Sequence, residues 1–186
     1  MTVPQAVIDQ LCDDNRQLLE VLDRAGEVTL KIAADINFRK VLVMAAASYF
    51  EVAVRDVVTS FVSKGSRNNE WIVTFAQKKG LERQYHTLFQ WDGKNANSFF
   101  GLFGQNCREG HLKDVKAHDS LDECIRAFLE LGQLRNQLAH ENFGTFALPK
   151  TTDELVELYR KADSFVEYLR SFFDTQLEMT RSGEHR

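Results

Sequence analysis

The chain has 186 residues, 44% hydrophobic and 27% charged, the profile of a soluble globular protein with enough length for one substantial core. Its 23 lysines and arginines against 27 acidic residues leave a net charge of −4, which argues against nonspecific coating of nucleic acid but not against a local basic cleft. The cysteines Cys12, Cys107 and Cys124 are odd in number and widely spaced, which speaks against a disulfide framework and for a reducing cytoplasm.

The 2 prolines, Pro4 and Pro149, fall near predicted helix boundaries, an arrangement that suits long uninterrupted helices. Residues 3–25 read as the first helix. Val7, Leu11, Leu18, Val21 and Leu22 recur at helical spacing, Thr2 and Gln5 resemble a capping box, and Gly26 weakens or ends the helix. A second long helix is expected over 37–64, closed by Gly65. Its apolar residues surround nearly the whole circumference, as in the central helix of a bundle. The most apolar part, 41–62, is interrupted by Ser48, Glu51, Arg55 and Asp56, so it reads as a buried helix and not as a membrane span. No basic start followed by an apolar run appears, and no secretory leader is expected.

The pattern breaks over 66–110. Trp71, Ile72 and Phe75 suggest one short helix; Tyr85, Leu88, Phe89 and Trp91 suggest another. Asn97-Ser98-Phe99-Phe100-Gly101-Leu102-Phe103-Gly104 follows. In a chain with 14 phenylalanines these aromatics are expected to plug the end of the bundle, and a base-stacking platform is the competing reading. A late helix is predicted over 120–141, opened by a Ser120/Glu123 capping box with Asp119 and Asp122 at the positive end of the dipole. After a connector with Gly144 and Pro149, Thr151 and Glu154 cap a last helix that ends near 180. No repeat or linker divides the chain, so one domain over 1–180 with a frayed tail at 181–186 is expected.

The late helix carries Leu131-Gly132-Gln133-Leu134-Arg135-Asn136-Gln137-Leu138-Ala139-His140. Laid out at about 100° per residue, Leu121, Cys124, Ile125, Phe128 and Leu131 form an apolar stripe. Arg135 falls inside it between the small Gly132 and Ala139, Asn136 lies on its edge, and His140 lies just beyond. A guanidinium at a core position needs a partner or a wet crevice. Small neighbours let a second helix or a ligand approach. The alternative is a structural ion pair with a simple Asn136–His140 contact. Cation, amide and a residue type that titrates near neutrality, within two turns, are the parts needed to cleave a phosphodiester.

Other clusters carry less. Cys107, His111, His118 and Cys124 lack the tight ligand pair of a structural zinc site, and no metal or cofactor is expected. No cysteine has the neighbours of a nucleophile, and Gly101 to Gly104 lacks the lysine of a phosphate-binding loop. Arg39, Lys40, Lys113, Lys116 and Arg126 are possible RNA contacts or simply a solvated face. Glu51 is placed to pair with Arg135 or, locally, with Arg55, and Ser48 shares its face.

The pattern Arg135-Asn136-Gln137-Leu138-Ala139-His140 resembles the signature of the HEPN domain family. Residues 39–51, from Arg39-Lys40-Val41 to Tyr49-Phe50-Glu51, and the stretch Phe99-Phe100-Gly101-Leu102-Phe103-Gly104 are similar to the RiboL-PSP-like and related prokaryotic groups, so the likeness spans 38–143. The resemblance implies an all-α helical bundle with long antiparallel helices and short helices inserted between the central and motif helices. It implies a homodimer in which Gly132 and Ala139 lie at the contact and two Arg/His sets line one cleft. It also implies a metal-independent endoribonuclease of toxin or phage-defence type, partnered by RNA and by an antitoxin or other defence protein. Arg135, Asn136 and His140 would be catalytic, with Glu51 and Ser48 in support. The alternatives are a catalytically silent HEPN module that binds RNA, nucleotide or a partner protein, and an assembly component whose motif only supports dimerisation.

Overall fold

A computed structural model describes residues 3–183, and among them the regular structure is entirely helical. The order is α1 (Val3–Arg24), α2 (Val28–Gly65), α3 (Glu70–Ala76) running into a π-helical turn (Gln77–Leu81), α4 (Tyr85–Leu88), α5 (Asn97–Gly101), α6 (Gln105–Ala117), α7 (Asp119–His140) and α8 (Thr152–Gly183). The all-α expectation and the short helices between the central helix α2 and the motif helix α7 are both present. No described helix is long and apolar enough to cross a membrane.

Gly26 does more than weaken α1. Its φ of +73° lets Glu27 N donate to Leu22 O (2.9 Å) while Gly26 N donates to Asp23 O (3.0 Å), the paired bonds of a Schellman stop. The chain re-enters a helix at once, so α2 begins at Val28, well before the expected residue 37. The Thr2/Gln5 capping box lies outside the described residues. At the other end, α8 continues to Gly183, past the expected end near 180. Its start is as read: Thr151 N donates to Glu154 Oε2 (2.7 Å) and Glu154 N donates to Thr151 Oγ1 (3.3 Å). The Ser120/Glu123 box does not form, because α7 already begins at Asp119.

The chain divides into two compact units, with the boundaries inside α2, α7 and α8. The first unit comprises Met1–Tyr49 and Leu131–Arg160. Its buried side chains include Ile8, Leu42, Val43, Ala46, Leu131, Leu134, Leu138, Leu155 and Tyr159. On the outside, Val21, Val28, Leu30 and Ile32 are exposed.

The second unit comprises Phe50–Glu130 and Lys161–Arg186, and its core is aromatic. Phe89 stacks on Phe99 (4.6 Å, 12°), and Phe128 meets Phe89 (4.9 Å) and Phe165 (5.1 Å) edge-on. Phe99 and Phe100 have no exposed surface, so this stretch fills a core and offers no face for a base. The short helix α3 behaves differently. None of its residues is buried, and Trp71 is 85% exposed. It is held from its start by Asn69, whose side-chain oxygen accepts from Trp71 N (3.1 Å) and Ile72 N (3.3 Å).

Candidate functional site

The end of α7 from Leu131 to His140 belongs to the first unit, and it buries Leu131, Leu134 and Leu138. On the helix circle the centre of those three lies about 70° from Arg135 and more than about 100° from Gly132 and Ala139. Arg135 therefore does not replace a core leucine. It lies half-buried on the flank, with Gly132 and Asn136 half-buried beside it and Ala139 and His140 exposed. The expected groove floor is in fact an open flank, because the last turns bury a different line of residues from the one a single stripe drawn along the helix implies.

Arg135 Nη1 donates to Asn136 Oδ1 at 3.2 Å. Among the described residues Arg135 forms no ion pair. The alternative reading, a simple Asn136–His140 hydrogen bond, is not what forms; Asn136 instead accepts from the guanidinium. Ser48 is exposed on α2 in the same unit. Glu51 is half-buried in the second unit and makes no ion pair with Arg55, its neighbour one turn along.

The five possible RNA contacts separate. Lys113 and Lys116 are exposed on α6, and Arg126 is exposed but paired with Asp122 at 2.7 Å, all in the second unit. Arg39 and Lys40 serve the first unit internally. Arg39 pairs with Asp35 and also donates to Lys150 O (3.4 Å), while Asp35 accepts from Thr152 Oγ1 (2.9 Å). Lys40 is 2% exposed; its Nζ donates to Phe143 O at 2.6 Å and lies 5.1 Å from the centre of the Phe143 ring. A buried ammonium does not meet a phosphate without leaving its pocket, so Lys40 is a structural cation in this fold. Sequence reading missed Asp35 and Phe143. The Asp35/Arg39 spacing of four was the available signal, hidden because the helix was expected to start at 37.

Cys107, His111, His118 and Cys124 do not form a metal site. His111 is buried and stacks on Phe100 (3.8 Å, 11°), whereas His118 is exposed with Nδ1 3.1 Å from Asp114 O. Among the described residues no group of three or more histidine, cysteine or acidic side chains is placed to hold a metal ion. The three cysteines are free thiols, and burial pushes the Cys107 thiol up to about 11. A crevice of about 1050 Å³ in the first unit is lined by Asp9, Asp13, Arg16, Glu157 and Arg160 among others, and includes none of the motif residues.

A family model described as RiboL-PSP-HEPN matches residues 9–175, nearly the whole chain. The chain belongs to the RiboL-PSP-HEPN family. Both the short signature on α7 and the central helix α2 lie inside the matched span of this HEPN domain. No curated protein and no solved structure matches its sequence.

Proposed function

We propose that this HEPN domain is a metal-independent endoribonuclease that cleaves RNA at a cleft shared by two copies of the chain. The observation that carries the reading is the open flank of α7: a guanidinium oriented by its neighbouring amide Asn136, without a carboxylate partner, with an exposed imidazole one helical turn beyond that amide. A half-buried arginine with no ion pair is a receptor for an anion such as a phosphate.

In this mechanism the ribose 2′-oxygen forms a bond to the adjacent phosphorus and the bond from phosphorus to the 5′-oxygen breaks. The products are a 2′,3′-cyclic phosphate and a 5′-hydroxyl. One histidine takes the 2′-OH proton and a second donates a proton to the departing 5′-oxygen. One chain supplies a single His140, and a symmetric pair supplies two. Arg135 binds the phosphate and opposes the charge that builds on it in the transition state. Asn136 fixes the guanidinium through Oδ1, and its amide N–H groups donate to a phosphate oxygen. Ala139 and Gly132 have too little side chain to keep a second α7 away. DNA lacks the attacking hydroxyl and is spared.

Purified protein incubated with RNA and with DNA in the presence of chelator tests the reaction class. Cyclic phosphate ends on RNA alone are expected, with Arg135→Ala and His140→Ala each lowering the rate on the order of a hundredfold or more. A His140→Ala protein that cleaves at the native rate sinks the assignment. The toxin or phage-defence setting is read from growth arrest on expression, relieved by the same substitutions.

A further inference from the structure

The chain leaves α7 at His140 and enters α8 at Thr152, and three side chains of one α2 segment hold both ends of the connector. Lys40 holds its start through the Phe143 carbonyl. Arg39 holds its end through the Lys150 carbonyl, and Asp35 ties Arg39 to Thr152, the first residue of α8. All these residues and the motif belong to the same compact unit.

We propose that Asp35, Arg39 and Lys40 form a clasp that sets the end of the motif helix, with Lys40 as a positioning residue for His140. This rests on the reading of His140 as a proton-transfer group. The argument begins with cost. Burying an ammonium is expensive unless its surroundings repay it, and Lys40 forms no ion pair among the described residues. What it has is one carbonyl at 2.6 Å and one aromatic face, both from Phe143. A leucine at this position would fill the space without desolvating a charge. The cation grips a backbone atom three residues past His140.

The grip lies where it matters for geometry. The last turn of a helix frays because its carbonyls lack intrahelical donors. Here Glu141 N still donates to Gln137 O (2.8 Å), and Asn142 closes the next turn by accepting from Thr145 N (3.0 Å) and Phe146 N (2.9 Å). Lys40 fastens Phe143 inside that turn. A positive charge there also complements the negative end of the α7 dipole. His140 is exposed, so no packing of its own ring fixes it, and its place depends on the backbone beneath it.

The test compares the native chain with Lys40→Met and with Phe143→Ala at a temperature well below every melting point. Two readouts need no RNA: amide exchange at Glu141, Thr145 and Phe146, and the nuclear magnetic relaxation of the His140 ring. In Lys40→Met those amides exchange about tenfold faster or more and the ring signal reports greater motion, while amides of α1 keep their rates. The turnover number for RNA falls on the order of a hundredfold with KM unchanged. Phe143 is 46% exposed, so Phe143→Ala retains the fold and stands in if Lys40→Met does not; a smaller loss of order at the same amides is expected. Unchanged exchange and ring motion in a folded variant overturn the clasp. Faster exchange with an unchanged turnover number overturns the positioning role. If the native protein cleaves no RNA, the nuclease reading fails, and ring and amide order alone decide whether Lys40 sets His140.

Discussion

Arg135 and His111 are two polar residues that each break a local rule, and their surroundings give them opposite tasks. Arg135 keeps its charge half in solvent and uses its sequence neighbour as its partner. His111 has no exposed surface and gives its charge up. Tyr168 Oη–H donates to Asp114 Oδ2 (3.0 Å), so the Tyr168 oxygen accepts from His111 Nδ1–H (3.1 Å), and His111 Nε2 is left buried without a partner. Burial depresses the His111 pKa from its ordinary value of 6.5 to about 4, outweighing the Asp114 carboxylate, which acts the other way. Burial and the same carboxylate push the Tyr168 phenol well above its ordinary range. The folded state therefore refuses a proton that the unfolded chain accepts. Stability from this group is complete above about pH 6.5, falls as the pH drops toward 4, and changes no further below that. The total is on the order of 3 kcal/mol at about 1.4 kcal/mol per pH unit. Urea denaturation of the native chain and of His111→Phe between pH 7.5 and 4.5 measures it; equal slopes for the two proteins would contradict this account. The motif triplet was legible in the sequence because its chemistry is local. The roles of Lys40 and His111 were not, since each depends on atoms far along the chain.

The long helices could be read from periodicity and stop signals, and the miss at the start of α2 has a definite cause. Gly26 is a legible stop signal, but a Schellman stop takes only the few residues that its two bonds close, so a second helix can begin directly after it. The helix α6 carries no clear helical signal in the sequence. His111 is its buried residue and Cys107, Gly110, Leu112, Asp114 and Val115 are half-buried, so polar and small residues interrupt the apolar period. A methyl added at Gly110 would make an ordinary 3.6 Å contact with the Phe172 ring, and Asp114 accepts from Tyr168 Oη–H. The start of α8 was legible because a capping box is written in adjacent residues. The hydrogen bonds that Thr151 N–H and Thr151 Oγ1–H donate to Glu154 Oε2 also hold the Glu154 carboxyl below its usual range. Thr151→Ala is expected to cost about 1 kcal/mol, read as a lower denaturation midpoint with unchanged m-value. A loss under a few tenths would mean that the box adds nothing to the stability of α8.

For the molecule as a whole, the proposed mechanism needs two copies, and this separates it from any single-chain nuclease. A cleft built from two chains makes an inactive partner poisonous. Adding excess His140→Ala protein to a fixed amount of native protein should lower cleavage as mixed pairs replace native ones, after enough time for exchange. Unchanged cleavage, with pairing demonstrated by sedimentation, would show that each chain works alone. The aromatic core of the second unit and the polar clasp of the first were unequally legible. Fourteen phenylalanines announce an aromatic core, but nothing in their spacing says which aromatic residues stay outside. Trp71 is one that does, and it gives the protein an optical asymmetry. Trp91 is half-buried beside Phe89 and Phe128 and donates Nε1–H to His86 O, so its fluorescence changes when the second unit melts. Trp71 is already in water. The emission thus contains a built-in reference, indifferent to unfolding and sensitive to whatever settles on α3.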